Sequence, residues 1–254
     1  METFMSVKTG RRVIVLPDLN AVGREAGEVF WEASKSSTAS HGRFAVALSG
    51  GTTPRGLYAL LGSGQYKDEM NWRHAHFFWA DERCVPKEHE ESNFKTAFDA
   101  FLSKVPVPDG NIHRVRGEEE PEKAAEDYEV DMRKFFGEAA LPAFDLIILG
   151  VGEDGHTASL FPGSKALEEH ARLAAPVYKE KPGINRVTLT LPVLNNASRV
   201  LFLAAGQSKA DVVYDILEEG NKKNYPAGLV HPFGGNVLWL LDKEAGRRLK
   251  AAGL

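Results

Sequence analysis

The sequence predicts an α/β fold in which a mainly parallel sheet is covered by helices on both faces. Three observations lead there. Short apolar runs alternate along the 254 residues with stretches of helical periodicity. The best of these runs are apolar enough to be strands buried within a layered domain. No repeat, low-complexity tract or Gly/Ser- or Pro-rich linker divides the chain, so a single domain over residues 1–254 is expected.

Taken in order, "RRVIVL" (11–16) reads as a first strand. From Leu19 a helical stripe follows through Val22, Ala26, Val29, Phe30 and Ala33. "RFAVALS" (43–49) is a second, buried strand, and "TPRGLYALL" after it is a helix with Pro54 suited to its first turn. "HAHFFWA" (74–80) is a third strand, "NFKTAFDAFLSKV" a helix and "NIHRVRG" (111–117) a short strand. "EKAAEDYEVDMRKFFG" is a charged amphipathic helix stopped by Gly137, and "FDLIILG" (144–150) is the most strand-like segment. Beyond it come strands at "RVTLTL" (186–191), "RVLFLAAG" (199–206) and "NVLWLLD" (236–242), with a helix from Ser208 to about Glu219 and a terminal helix.

Composition narrows the function classes. Hydrophobic residues make up 43% and charged residues 26%, which supports both a core and solubility. There is no long apolar run and no signal-peptide pattern, so a soluble cytoplasmic protein without membrane contact is expected. The single cysteine, Cys84, excludes an intramolecular disulfide and a cysteine-based zinc cluster within one chain. A net charge of −4 argues against nucleic acid as partner, while a local basic pocket for a small anion stays compatible with it.

Ligands of parallel sheets bind beyond the carboxyl ends of the strands, and that rule selects three loops. "SGGTTP" (49–54) offers glycines for close backbone approach, the hydroxyls of Ser49, Thr52 and Thr53, and the start of a helix. A tight turn needing positive φ carries the same glycines, and no Gly-Lys-[Ser/Thr] follows, so this is not a nucleotide-triphosphate loop. In "ADERCVP" (80–86), Asp81 and Arg83 lie two apart and project the same way if the segment is extended. Arg83 suits an anion clamp or oxyanion stabiliser; a solvated turn is the plain alternative. Cys84 has no local base and reads as a small semi-buried residue. "GVGEDGHTASLFPG" (150–163) is the third loop. Its glycines make it compact, His156 is usable as a general base or acid, and Asp154 could orient it. The other histidines lack this setting, and no His-x-x-x-His or second nearby histidine marks a zinc site. Two later cations, Arg186 before "VTLTL" and Lys209 after "AAGQS", could meet a phosphate or be plain surface charges.

Together "LSGGTTPRGLY", "WADERCVP", "LGVGEDGHTASLFPG", "NRVTLTLPVLNNA", "GQSKA" and "VLWLLDKEA" resemble the 6-phosphogluconolactonase family over nearly the whole chain. The run Asp-Gly-His-Thr-Ala-Ser-Leu-Phe-Pro-Gly is the most specific part. The resemblance implies a Rossmann-like three-layer α/β/α fold shared with glucosamine-6-phosphate deaminase and ribose-5-phosphate isomerase. It implies hydrolysis of 6-phospho-D-glucono-1,5-lactone in the oxidative pentose phosphate pathway, with a sugar-phosphate lactone as the small-molecule partner and no metal or organic cofactor. Oligomeric state is not implied; a monomer is compatible. By the same resemblance His156 is the catalytic base with Asp154 supporting it, and Asp81 and Arg83 match the Asp-Glu-Arg active-site motif. Ser49, Gly50 and Gly51, with Thr52 beside them, match the phosphate-side loop, and Arg186 and Lys209 match basic residues near the substrate phosphate. "KPGINRVT" lacks the Pro-Pro often found before that arginine. The deaminase loop usually continues Ile-Ala-Phe-Asn-Glu-Pro where this chain has "TASLFPG", and no helix-turn-helix extension suggests a sugar-phosphate sensor.

Overall fold

The computed structural model describes residues 4–8, 11–138, 141–180, 182–234 and 236–249. Its main sheet runs in the order β1-β2-β10-β9-β6-β3-β4. The strands are β1 (Phe4–Lys8), β2 (Arg11–Leu16), β3 (Phe44–Leu48), β4 (Ala75–Trp79), β6 (Leu146–Leu149), β9 (Val200–Ala204) and β10 (Val237–Asp242). All neighbours are parallel except the β1–β2 edge pair, which is antiparallel. A second, antiparallel sheet holds β5 (Asp81–Arg83), β8 (Arg186–Leu189) and β7 (Ala174–Val177) in the order β5-β8-β7.

Successive side chains of a strand face opposite ways, and the parallel strands use both faces. Phe44, Val46 and Leu48 of β3 join Val22, Ala26, Phe30 and Ala33 of α1 (Leu19–His41). The same layer takes Leu57, Tyr58 and Leu61 of α2 (Arg55–Leu61) and Ala97 of α4 (Asn93–Ala100), with α3 (Gly64–Lys67) between those two helices in the chain. Ala45 and Ala47 face the other layer, with Tyr128 and Met132 of α5 (Pro121–Phe136) and Val212, Val213 and Ile216 of α7 (Ala210–Leu217). Two short helices, α6 (Leu191–Leu194) and α8 (Pro226–Leu229), complete the set. Each fully buried large apolar side chain stabilises by about 1.5–3 kcal/mol, so both layers are held by the strands' own alternation. The expected α/β class with a mainly parallel, helix-covered sheet is the fold found.

Several elements differ from the sequence expectation. "RVTLTL" is a strand only over Arg186–Leu189, and it belongs to the small antiparallel sheet. Ala80 is the pivot: its N–H donates to Leu48 O (2.7 Å) in the main sheet, and its carbonyl accepts from Leu189 N (2.8 Å) in the small one. "NIHRVRG" forms no strand. A 3₁₀ turn occupies Asp109–Asn111, and the Asn111 amide donates to the carbonyls of Arg73 (2.9 Å) and Ala75 (3.1 Å). Ladder pairing there shrinks to one bridge, Phe77 with Ile112. After β10 the chain makes turns through Arg248 where a helix was expected, and the last five residues of that expectation lie outside the described residues. β1, β5 and β7 lie outside the strands read from the sequence: β5 is three charged residues long, and the apolar "AAPV" of β7 contains a proline and two alanines of low strand preference.

Candidate active site

The carboxyl ends of β3, β4, β6 and β9 converge on one cleft. It is lined by Ser49, Gly50, Gly51, Thr52, Asp81, Arg83, Asn93, His156, Arg186 and Lys209, among others. Nine of the ten residues singled out from the sequence therefore share one wall-to-wall space. Asp154 does not line it; it stands behind His156.

That pair is tightly made. Asp154 Oδ1 lies 2.5 Å from His156 Nδ1 and also accepts the His156 backbone N–H at 3.1 Å. With Nδ1 carrying the proton toward a carboxylate, the lone pair resides on Nε2. That atom makes no hydrogen bond to any described residue. Burial alone would raise the Asp154 carboxyl, but the hydrogen bonds and charge of His156 outweigh it and hold it below the ordinary aspartate range. The Phe161 ring packs on the imidazole at 4.5 Å between centroids. Gly152 closes the arrangement. A Cβ there would stand 2.1 Å from His156 Nδ1 and 2.5 Å from Asp154 Oδ1. Gly152→Ala is therefore expected to force the pair apart and to cut turnover at least about tenfold, since roughly a 1 Å misplacement can cost about 10²-fold. Steady-state kinetics beside a thermal melt checks this, and unchanged kcat in a folded variant contradicts it.

The Asp-Glu-Arg segment is a strand, so Asp81 and Arg83 do face one way. Asp81, 5% exposed, accepts from Ser159 Oγ at 2.6 Å and sits 4.0 Å from Arg186 Nη1. Arg83 Nη1 donates to the Glu91 carbonyl (2.9 Å) and carboxylate (2.8 Å). Burial and the neighbouring Arg83 charge press the Arg186 pKa down, opposed by Asp81 and Glu91. On the loop side, Tyr58 donates to Ser49 O at 2.6 Å. Gly50 is required by close approach: a Cβ would lie 1.8 Å from Asn93 Oδ1. Lys209 ends a 3₁₀ turn (Gln207–Lys209) before α7, anchored where Gly206 N–H donates to the Asp242 carboxylate at 3.0 Å. Lys209 forms no ion pair with the described residues.

Three buried polar atoms in this lining, Ser49 Oγ, Arg83 Nε and Arg186 Nε, have no hydrogen-bond partner among the described residues. Buried polar groups are normally satisfied, so three together suit an oxygen-rich anionic ligand. Among the described residues no three His, Cys, Asp or Glu side chains are grouped to hold a metal ion. Cys84 lies outside the lining, and burial, with Glu82 and Glu120 nearby, pushes its thiol up to about 12. Sequence reading missed Asn93 and Ala158, which also lines the cleft in the left-handed region (φ 48°). Ser92 ahead of "NFKTAF" marks a helix start, but nothing local says where that start points.

An α/β sheet with an aspartate-backed imidazole facing a cationic, hydroxyl-rich cleft has the groups that suit an enzyme of small anionic substrates. Residues 17–239 match the family described as glucosamine-6-phosphate isomerases/6-phosphogluconolactonase, and the chain belongs to that family. It is 42% identical over 216 residues to a 6-phosphogluconolactonase of Synechocystis sp., covering 84% of this chain and 87% of the relative. It is 42% identical to the 6-phosphogluconolactonase of Homo sapiens, covering 82% and 81% of the two chains. Among solved structures, 6-phosphogluconolactonase from Trypanosoma cruzi superposes with a TM-score of 0.85 at 31% identity, covering 97% of this chain and 99% of that one.

Proposed function

We infer that this chain is a lactonase that hydrolyses 6-phospho-D-glucono-1,5-lactone to 6-phospho-D-gluconate in the oxidative pentose phosphate pathway. The relatives so named align over most of both chains. The observation that carries the chemistry is the imidazole whose Nδ1 is held by Asp154 while Nε2 is left to the cleft. A lactone is already an activated ester, so a positioned water and a base suffice. In this proposal His156 takes a proton from water as the oxygen attacks the ring carbonyl. Negative charge develops on the carbonyl oxygen, where Arg83 or loop N–H groups stabilise it. The imidazolium then returns the proton to the departing ring oxygen. Asp81, fixed by Ser159, stands beside Arg186 and supports its charge, while Glu91 holds Arg83.

The phosphate is assigned to Ser49, Gly50, Gly51 and Thr52 with Arg186 and Lys209. Binding this non-reacting group holds the carbonyl against the base. Neither a covalent nucleophile nor a metal is part of the mechanism, and the Cys84 thiol is too weakly acidic to serve as one. The proposal extends to a single domain over residues 1–254 and to the cytoplasm, which cell fractionation tests. Among the described residues no helix is long and apolar enough to cross a membrane.

Freshly prepared lactone provides the direct assay, with spontaneous opening subtracted. A rate no greater than the spontaneous one overturns the reading. Exhaustive chelation is expected to leave the enzymatic rate unchanged; loss restored by zinc or another divalent ion means that a metal takes part.

A further inference from the structure

Resting on the lactonase reading, we propose that Glu82 is a positioning residue for the reaction, acting through Asn93 to hold the Asp81 side of the cleft in its working geometry. Glu82 lies between the two cleft-facing residues of β5, and strand alternation turns it away from the cleft, where it is 2% exposed. Its carboxylate takes four donors. Oε1 accepts the backbone N–H of Arg83 and of Asn93, both at 2.7 Å. Oε2 accepts Phe94 N–H at 2.7 Å and Ser92 Oγ at 3.2 Å. One side chain thus fastens β5 to the first turn of α4.

The consequence falls on Asn93. With its backbone held by Glu82, its side chain enters the cleft lining, where Nδ2 donates to Asp81 O (2.9 Å) and reaches Asp81 Oδ1 (3.4 Å). Its Oδ1 side packs onto Gly50, which is why no Cβ fits there. Asn93 therefore bridges the glycine loop and the Asp81 carboxylate, and Glu82 sets where it stands. Burial pushes the Glu82 carboxyl up to about 7, against the Asn93, Phe94 and Arg83 N–H groups that favour its ionised form. A buried acid kept at that cost is consistent with a demand for four accepted hydrogen bonds in one place.

Glu82→Gln preserves volume but presents an NH2 to backbone N–H donors. Asn93→Ala removes the bridge alone. Each variant and the double variant are assayed on fresh lactone, with circular dichroism and a thermal melt on the same samples. Each single change is expected to lower kcat on the order of 10–100-fold, with KM within about threefold. The double variant is expected to be no worse than the poorer single one, because the two act along one path. Multiplying losses, or a lower melting temperature with unchanged kcat, overturns the proposal and leaves Glu82 a structural tie. If Glu82→Gln does not fold, Asn93→Ala decides: reduced kcat supports the bridge and normal kcat overturns it. A wild-type protein without lactonase activity overturns the underlying reading instead, a result distinguishable from active variants of an active enzyme.

Discussion

His156→Asn is expected to lower turnover of 6-phospho-D-glucono-1,5-lactone by about 10²–10⁴-fold, the usual contribution of a positioned proton-transfer group. The imidazole is 29% exposed on its side chain, and its strong hydrogen bond runs to a half-exposed Asp154. Its removal therefore leaves no large cavity, and folding should be preserved. Asparagine can still hydrogen-bond to Asp154 but has no basic lone pair to offer water. KM should change little, because the phosphate contacts proposed above lie on other loops. The decisive measurement is kcat above the spontaneous rate, with a melting curve to show the variant is folded. Near-normal kcat in a folded variant removes His156 from the mechanism.

Lys209→Ala should weaken activity on the phosphorylated lactone far more than on unphosphorylated gluconolactone. A hydrogen bond to a charged group contributes about 1.5–3 kcal/mol, so kcat/KM for the phosphorylated substrate should fall roughly 10- to 150-fold. The structure makes this residue the clean choice. Its ammonium forms no ion pair with the described residues, and its backbone is placed by the Gly206–Asp242 contacts rather than by its own side chain. Arg186 would be a poorer probe, because it also faces Asp81 and Arg83. Both substrates are compared at one ionic strength, since screening alters any anion site. Equal proportional losses on both substrates assign Lys209 to the fold or the chemistry, and no change on either leaves it a surface charge.

Much of the cleft was legible in the chain because its parts are local. Apolar runs such as "FAVAL" and "LIIL" declare buried strands, and glycine-rich loops directly after them declare the ends at which ligands bind. His156 and Asp154 are two residues apart, so one turn of loop suffices to pair them. Other features have no local signature. Whether "RVTL" joins the main sheet or leaves it depends on Ala80 bonding Leu48 on one side and Leu189 on the other, contacts far apart in sequence. "NIHRVRG" has a strand's composition, yet past the Phe77–Ile112 bridge the Tyr128 hydroxyl takes both the N–H (2.8 Å) and the carbonyl (2.9 Å) of Trp79 that a longer ladder beside β4 would have used.

The sequence by itself determined the fold class, the loops that meet at the sheet's carboxyl end and the residue types available there. These follow from side-chain periodicity and from glycine's tolerance of close approach, properties carried by a few consecutive residues. Only the tertiary structure decided that Asn93 enters the cleft and that Glu82 turns away from it to tie β5 to the start of α4. Each of those depends on the relative placement of backbone segments, to within a hydrogen bond's length, and that placement comes from packing two helical layers onto a sheet.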